Sequence, residues 1–345
     1  MNNKKILLSI VVLLILGLSA FFFFINFNKT PSPVNTKPAP SRISVAYISF
    51  NKMYGIPLII AENTGLFNQY NLLVETKATD KSPTKLLVAN QVNTILNTPF
   101  APLTANTEGA TLSWAGTIFN DSPIVLVSSK EPQNIKTVSY PAGGGVLGKT
   151  RTIQLLKALN LDPAKIVLNE VSSEQIAMTT LTEDKVDAAA NITKSDWLIF
   201  KKKNNSENNK YKLLVYSVEK ENLQISGGII YSKDFLTDNK TTAENFSKAL
   251  IEATAWTRLN KEKAIDILAN KYSIEKDEAE IYWDEFVAVT NNVTFAPNLD
   301  QAETLLQIIK TTNPKAETYQ ASSFISTDIN NSLKNSGYLE KFGFK

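Results

Sequence analysis

The sequence contains neither histidine nor cysteine. Without cysteine there is no disulfide, no thiolate nucleophile, no thiolate-held metal and no lipid anchor on an N-terminal cysteine. Without histidine, the commonest general base near neutral pH and the commonest metal ligand are missing as well. Most hydrolase and metalloenzyme chemistries end there, and no cofactor is implied. Arginine is nearly absent, with only Arg42, Arg151 and Arg258, so bidentate capture of a sulfonate or carboxylate has few candidates. Neither sign of charge predominates. Lys+Arg 36 against Asp+Glu 33 leaves a net +3 with no long basic block, which gives no footing for nucleic acid.

What is present is a chain of 345 residues, 43% hydrophobic, long enough for two domains with a substantial core. After MNNKK comes an apolar run from Ile6 to Phe27, near the roughly 20 residues of a spanning helix and longer than the roughly 7 to 15 of a secretory signal. The best cleavage position follows Ala20, where Leu18 is bulky for the site. Residues 1–28 therefore read as a membrane anchor, with a cleaved signal as the alternative. Lys4 and Lys5 before the run place everything after residue 28 outside the cytoplasm. Residues 29–42, KTPSPVNTKPAPSR, form a stiff Pro-rich linker.

From Arg42 onward short strand-like runs alternate with helical ones, an α/β pattern with parallel-rich sheets. The expected strands are 43–49, 72–78, 94–98, 111–118, 123–129, 136–142, 165–171, 187–193, 212–218 and 227–233. Ser172 with Gln175, and Thr241 with Glu244, have the capping-box spacing of a helix start. From Thr241 the texture becomes helical, and Trp256 and Trp283 read as core fillers. An internal repeat is visible. ISVAYIS aligns with KTVSYPA, the turn near Gly65 with that near Leu161, and VANQVNTILNT with LTEDKVDAAANIT, at similar offsets (136 against 43, 161 against 65, 186 against 92).

In order and spacing these segments resemble the substrate-binding proteins of ABC importers for nitrate, sulfonates and thiamine-precursor pyrimidines, the SsuA/THI5-like, NMT1 family. The resemblance rests on ISVAYIS, IPLIIAENTGLFNQYNLLVET, LLVANQVNTILNTPFAPL, GGGVLGKTRTIQLLKALNLDPAKIVLNEV, TLTEDKVDAAANITKSDWLIF and ALIEATAWTRLNKEKAIDILANKY. It spans residues 42 to 345. One departure is local: the family has Gly and Asp in the turn before the third strand, and this chain has Asn90 and Asn93, while the second copy keeps Asp187. The resemblance implies a two-lobed periplasmic-binding-protein type II fold. Lobe 1 would be residues 43–125, lobe 2 residues 126–228, and residues 229–345 would return to lobe 1 and add C-terminal helices. It implies a binder and not an enzyme, with a small-molecule ligand and an ABC permease as partners.

One motif points elsewhere. Gly143 to Thr150, GGGVLGKT, fits the phosphate-loop pattern GxxxxGK[ST] between a strand and a helix. A nucleotide hydrolase would need ATP outside the cell and a strand ending in a magnesium-holding Asp, which is not found. A plain Gly-rich turn is a second reading. The third is a helix N-terminus whose amides bind polar or anionic ligand atoms without hydrolysis, with Lys149 and Arg151 in the first helical turn.

In open α/β sheets ligands lie beyond the carboxyl ends of strands. The candidates there are Ser49, Asn51 and Tyr54 after the first strand, Thr98, Pro99 and Phe100 after the third, and Thr117 and Asn120 at the fourth. In the second half they are Gly143, Gly144, Gly145 and Val146, then Asn191, Thr193 and Asp196; Phe50, Asp121 and Trp197 adjoin them. This mixture of aromatic faces, amides and hydroxyls suits a small polar or planar ligand, and the scarcity of arginine favours a neutral or weakly anionic heterocycle. A membrane-tethered ligand sensor built on the same clamp is the alternative function.

Overall fold

The computed structural model describes residues 38–344 apart from residues 50, 80–81, 121–123, 142–145, 205–209, 217–226 and 292. The apolar run from Ile6 to Phe27 and the glycines Gly143, Gly144 and Gly145 lie outside the described residues, as do Phe50 and Asp121. Among the described residues no helix is long and apolar enough to cross a membrane.

Ten strands are described: β1 (Ser41–Ile48), β2 (Leu72–Thr79), β3 (Thr94–Asn97), β4 (Leu112–Phe119), β5 (Ile124–Ser128), β6 (Thr137–Pro141), β7 (Val167–Val171), β8 (Ala188–Thr193), β9 (Lys212–Tyr216) and β10 (Gly227–Ser232). Each coincides with an expected run to within two residues at either end. The helices are α1 (Ile56–Asn63), α2 (Leu66–Gln69), α3 (Pro83–Val88), α4 (Phe100–Thr107), α5 (Val146–Ala158), α6 (Glu174–Thr182) and α7 (Lys194–Lys203). The C-terminal ones follow: α8 (Lys233–Asp238), α9 (Lys240–Leu259), α10 (Lys261–Tyr272), α11 (Lys276–Thr290), α12 (Leu299–Lys310), α13 (Asp328–Asn335) and α14 (Tyr338–Lys341).

The strands form two five-stranded sheets, ordered β2-β1-β3-β10-β4 and β7-β6-β8-β5-β9. They share one plan. Three parallel strands stand on one side, and the fourth place is taken by the first strand the chain makes on arriving from the other sheet, β10 in one and β5 in the other. That strand is antiparallel to both of its neighbours. The sheets are therefore mixed, and only β2-β1-β3 and β7-β6-β8 have the expected parallel order. The internal repeat is visible in the starts of equivalent strands, 41 and 137, 72 and 167, 94 and 188. Asn90 and Asp184, one in each copy, both adopt the left-handed backbone at φ 55 and 54. Asparagine tolerates that region better than most residues, so it can stand where the resemblance led us to expect glycine.

Sheet burial explains the hydrophobic pattern. β4, β5 and β8 are buried along their whole length, as strands covered on both faces are. The edge strands β2 and β7 are largely exposed. Trp114 in β4 is fully buried, and its indole lies against Gly228 of β10, where a Cβ would sit 2.3 Å from Nε1. Its Nε1 donates to Gly116 O at 3.0 Å. Trp256 and Trp283 are partly buried at the margin of the first core, and Trp283 Nε1 donates to Thr257 O.

Both expected capping boxes are displaced. The cap of α6 is Ser173, whose hydroxyl accepts from Ile176 N, one residue after Ser172. Thr241 lies inside α9, which follows α8 through Asn239 without a side-chain cap. Glu244 is drawn elsewhere, to Lys248 and the hydroxyl of Ser332. Likewise α5 begins at Val146, so Lys149 is its fourth residue and Arg151 lies in its second turn.

Candidate ligand-binding site

β4 runs parallel to β3, because both are antiparallel to the β10 between them. The carboxyl ends of β1, β3 and β4 and the start of β10 therefore share one edge of the first sheet. In the second sheet the ends of β6, β7, β8 and β9 and the start of β5 share an edge in the same way. The chain leaves the first edge at Phe119 and enters the second at Ile124. The four residues between them span at most about 18 Å. The first crossing thus keeps the two edges close together, and the chain crosses a second time between β9 and β10.

On the first edge, several expected contacts turn out to build the edge itself. Tyr54 is buried, with its ring 4.9 Å from that of Phe119. Phe100 belongs to a core cluster, and Pro99 precedes α4 as its buried cap. Asn51 caps the short turn 52–54 by accepting from Met53 N. Thr117 is buried and donates to Ala296 O at 3.1 Å. Ser49 and Asn120 are exposed on the edge, with their amides donating to Thr79 O and Val289 O. Thr98 is half-buried there, with its amide on Asn97 Oδ1.

On the second edge the expected residues converge. Asn191, at φ 59 and 6% exposed, turns its amide nitrogen onto Gly148 O at 2.7 Å and Thr152 Oγ1 at 3.3 Å. Asn191 thereby fastens the end of β8 to the start of α5, next to Val146. Its Oδ1 is buried and accepts no hydrogen bond from the described residues. Thr193 caps α7 through Asp196 N, and its own amide donates to Glu174 Oε2 at 2.8 Å. Asp196 Oδ1 accepts from Tyr282 OH at 2.8 Å, so α11, which belongs with the first sheet, reaches this edge. Trp197 instead fills the second core against Phe200.

The sequence reading missed Lys52, Glu174, Tyr272, Tyr282 and Glu285. Lys52 Nζ lies over the rings of Tyr282 (5.0 Å) and Tyr272 (5.7 Å) and 3.4 Å from Tyr282 OH. Glu285 Oε2 accepts from Ser195 N at 2.7 Å. Burial, with the charge of Asp196 beside it, holds the Glu174 carboxyl well above the usual range. Burial and the same acids push the Tyr282 hydroxyl upward. A signal was available. Glu278, Tyr282 and Glu285 follow a helical spacing and are all buried, so polar groups stand where an amphipathic helix would place apolar ones.

Of the phosphate-loop pattern, residues 146–150 are described, and they form the first turns of α5. Thr150 Oγ1 donates to Val146 O at 2.8 Å, Leu147 enters a core cluster, Gly148 lies under Asn191, and Lys149 is exposed. No cluster of His, Cys, Asp or Glu suited to a metal occurs among the described residues.

Two sheets whose carboxyl edges lie close together, with two chain crossings between them, define the periplasmic-binding-protein class of fold. Residues 52–264 match the family described as NMT1/THI5 like, and the chain belongs to that family. No curated protein matches it. Among solved structures it is similar to the periplasmic aliphatic sulphonate binding protein SsuA from Escherichia coli, at 15% identity and TM-score 0.67 over 84% of this chain and 92% of that one. It is similar to the alkanesulfonate-binding protein SsuA from Xanthomonas axonopodis pv. citri bound to MOPS, at 14% identity and TM-score 0.64 over 84% and 100%. The desulfurization enzyme DSZB shares the fold at 11% identity and TM-score 0.66 over 86% and 99%.

Proposed function

We propose that the chain is the extracytoplasmic solute-binding component of an ABC importer, tethered to the membrane by residues 1–28. The carboxyl edges of the two sheets, joined where α7 and α11 meet at Asp196 and Tyr282, carry this reading. In it, residues 43–125 with 229–345 form one lobe and 126–228 the other. A small molecule held between them favours the closed arrangement, which the permease recognises. The ligand contacts are drawn from Ser49, Thr98, Asn120, the loop 143–146, Asn191 and the acidic group around Asp196.

The two SsuA proteins named above bind sulfonates. This chain departs from what a strong anion needs. Two carboxyls stand at the second edge, Asp196 and a Glu174 that burial holds toward its neutral form, while Lys52 is engaged with Tyr282 and the first-turn amide of Ser195 already donates to Glu285. A carboxylate at Asp196 disfavours a sulfonate bound beside it. A neutral planar heterocycle bearing N–H donors, such as an aminopyrimidine, suits the acceptors that are there. DSZB shows that the fold also carries catalysis, but with no histidine or cysteine this chain is read as a binder.

A thermal-shift series of the protein against nitrate, taurine, longer alkanesulfonates and aminopyrimidines tests this, because a ligand of the folded state raises apparent stability by RT ln(1 + [L]/Kd). Stabilisation by one aminopyrimidine, recovered unchanged by NMR, is the expected result. Stabilisation by sulfonates alone overturns the ligand class. Conversion of the compound overturns the binder reading.

A further inference from the structure

α7 and α11 lie antiparallel across the boundary between the two halves, and their contacts run as a zipper. Ser195 N donates to Glu285, and Asp196 accepts from Tyr282; further along, Lys202 pairs with Asp277 and Lys203 with Glu278 (2.8 Å). From the start of α7 to its end the partners move from 285 and 282 to 277 and 278, so the two helices run in opposite directions. Between the polar rungs, Ile199 of α7 is buried in the core cluster of the first sheet, not in that of its own. On the other flank, Leu147 of α5 is buried in a first-sheet cluster with Leu305 and Phe324. The innermost rung is a helix cap supplied in trans. Glu285 is 6% exposed and Ser195 2%, so a first-half carboxylate stands at the N-terminus of a second-half helix, where negative charge is favoured. Residues 40–345 accordingly form one compact unit.

We infer that the α7–α11 zipper is a latch that holds the two lobes together in the absence of ligand. Breaking an inner rung leaves Ser195 N or Asp196 without its partner at the boundary, and the outer ion pairs, Lys202–Asp277 and Lys203–Glu278, are reached from solvent; because every rung joins one half to the other, the latch acts on opening. A clamp held in this way has a large binding-competent fraction, and its apparent affinity is reduced little by the closing equilibrium. The inference concerns the lobes alone and stands whichever ligand, or none, is carried.

The test uses the absence of native cysteine. In the full-length chain in detergent, Lys85→Cys and Lys157→Cys, both exposed and one on each half, take spin labels for a pulsed distance measurement without ligand. The unaltered latch is expected to give one narrow distribution. Tyr282→Phe with Ile199→Ala and Lys203→Glu shifts it to longer, broader distances, and adding Glu278→Lys moves it back toward the original. A broad distribution in the unaltered latch, or one that the triple variant leaves in place, overturns the inference. Circular dichroism reports whether the variant is folded. If it is not, the milder Lys203→Glu and its Glu278→Lys partner are read by the same criterion.

Discussion

Asn93 and Asp187 do the same work in the two halves of the molecule, each tying the turn before one strand to the start of its parallel neighbour. Asn93 Oδ1 accepts from Ser44 N at 2.8 Å and Ser44 Oγ at 2.9 Å. Asp187 Oδ2 accepts from Lys136 N at 2.8 Å and Thr137 N at 3.0 Å, and its other oxygen pairs with Lys130. The amide in the first half therefore keeps the acceptor and forgoes only the ion pair. Asn93→Asp is expected to change stability by no more than about 0.5 kcal/mol. Asn93→Leu leaves Ser44 N without this acceptor and should cost about 1–3 kcal/mol, and Asp187→Leu, which strips two amides, should cost more. Urea unfolding of the three variants, compared at equal slope, measures the order.

Two carboxyls should give opposite pH dependences. Burial works against the charged form of Asp187, but donation from Lys130 and from the amides of Lys136 and Thr137 outweighs it and holds the group below its usual range. Its stabilisation is present above the unfolded value of about 3.9 and is lost as pH falls through the folded value. Glu174 is shifted the other way by burial and by Asp196. The folded state holds that proton longer than the unfolded chain does, so its contribution is full below about 4.3 and declines as pH rises through the folded value. Asp187→Asn is expected to flatten the acid limb of a stability profile, and Glu174→Gln the limb above it. Unfolding midpoints across the pH series decide, and a Glu174→Gln profile parallel to the unaltered one contradicts the assignment.

The strand pattern was legible because each strand is a short apolar run bounded by turn residues, and the repeat was legible because both halves use the same three-strand start. The antiparallel strand in each sheet was not. Nothing local in GGIIYS or IVLVS states direction, which is set by where the chain arrives from the other sheet. The candidate site was half legible for a related reason. Asn191 and Thr193 end one strand and Asp196 follows it, so they could be placed by rule, whereas Tyr282 and Glu285 come to the same edge from a helix some ninety positions later, through tertiary packing alone. Tyr54, Phe100 and Trp197 are packed in the cores, because an aromatic next to a strand end can face the core as readily as the cleft.

Gly228 offers a check on the return strand. A Cβ there would meet Trp114 Nε1 at 2.3 Å and Gly116 O at 3.0 Å. The indole is fully buried and its nitrogen is committed to that same carbonyl, so neither neighbour moves without loosening β4 from β10. Gly228→Ala is expected to destabilise by about 1–3 kcal/mol through overpacking. Gly109, exposed at a helix end with nothing within 4 Å of its added Cβ, has φ +106, so Gly109→Ala reports backbone strain without overpacking and serves as the comparison. Thermal unfolding that places Gly228→Ala level with the unaltered protein would mean that the tryptophan can shift.

The pattern from Gly143 to Thr150 yields the clearest test between binding and nucleotide hydrolysis. In a working phosphate loop the lysine reaches the β- and γ-phosphates and the Ser or Thr hydroxyl serves magnesium. Here α5 already includes Val146, so Thr150 has a helical carbonyl four residues back and donates to it, while Lys149 points away from the packed side of the helix and is exposed. Lys149→Ala and Thr150→Val should each alter stability by no more than about 0.5 kcal/mol. ATP with magnesium should raise the unfolding temperature of neither variant nor the unaltered protein. A rise with ATP and magnesium that disappears in Lys149→Ala would show that the loop binds nucleotide, and the importer reading would then have to give way to an extracytoplasmic nucleotide site.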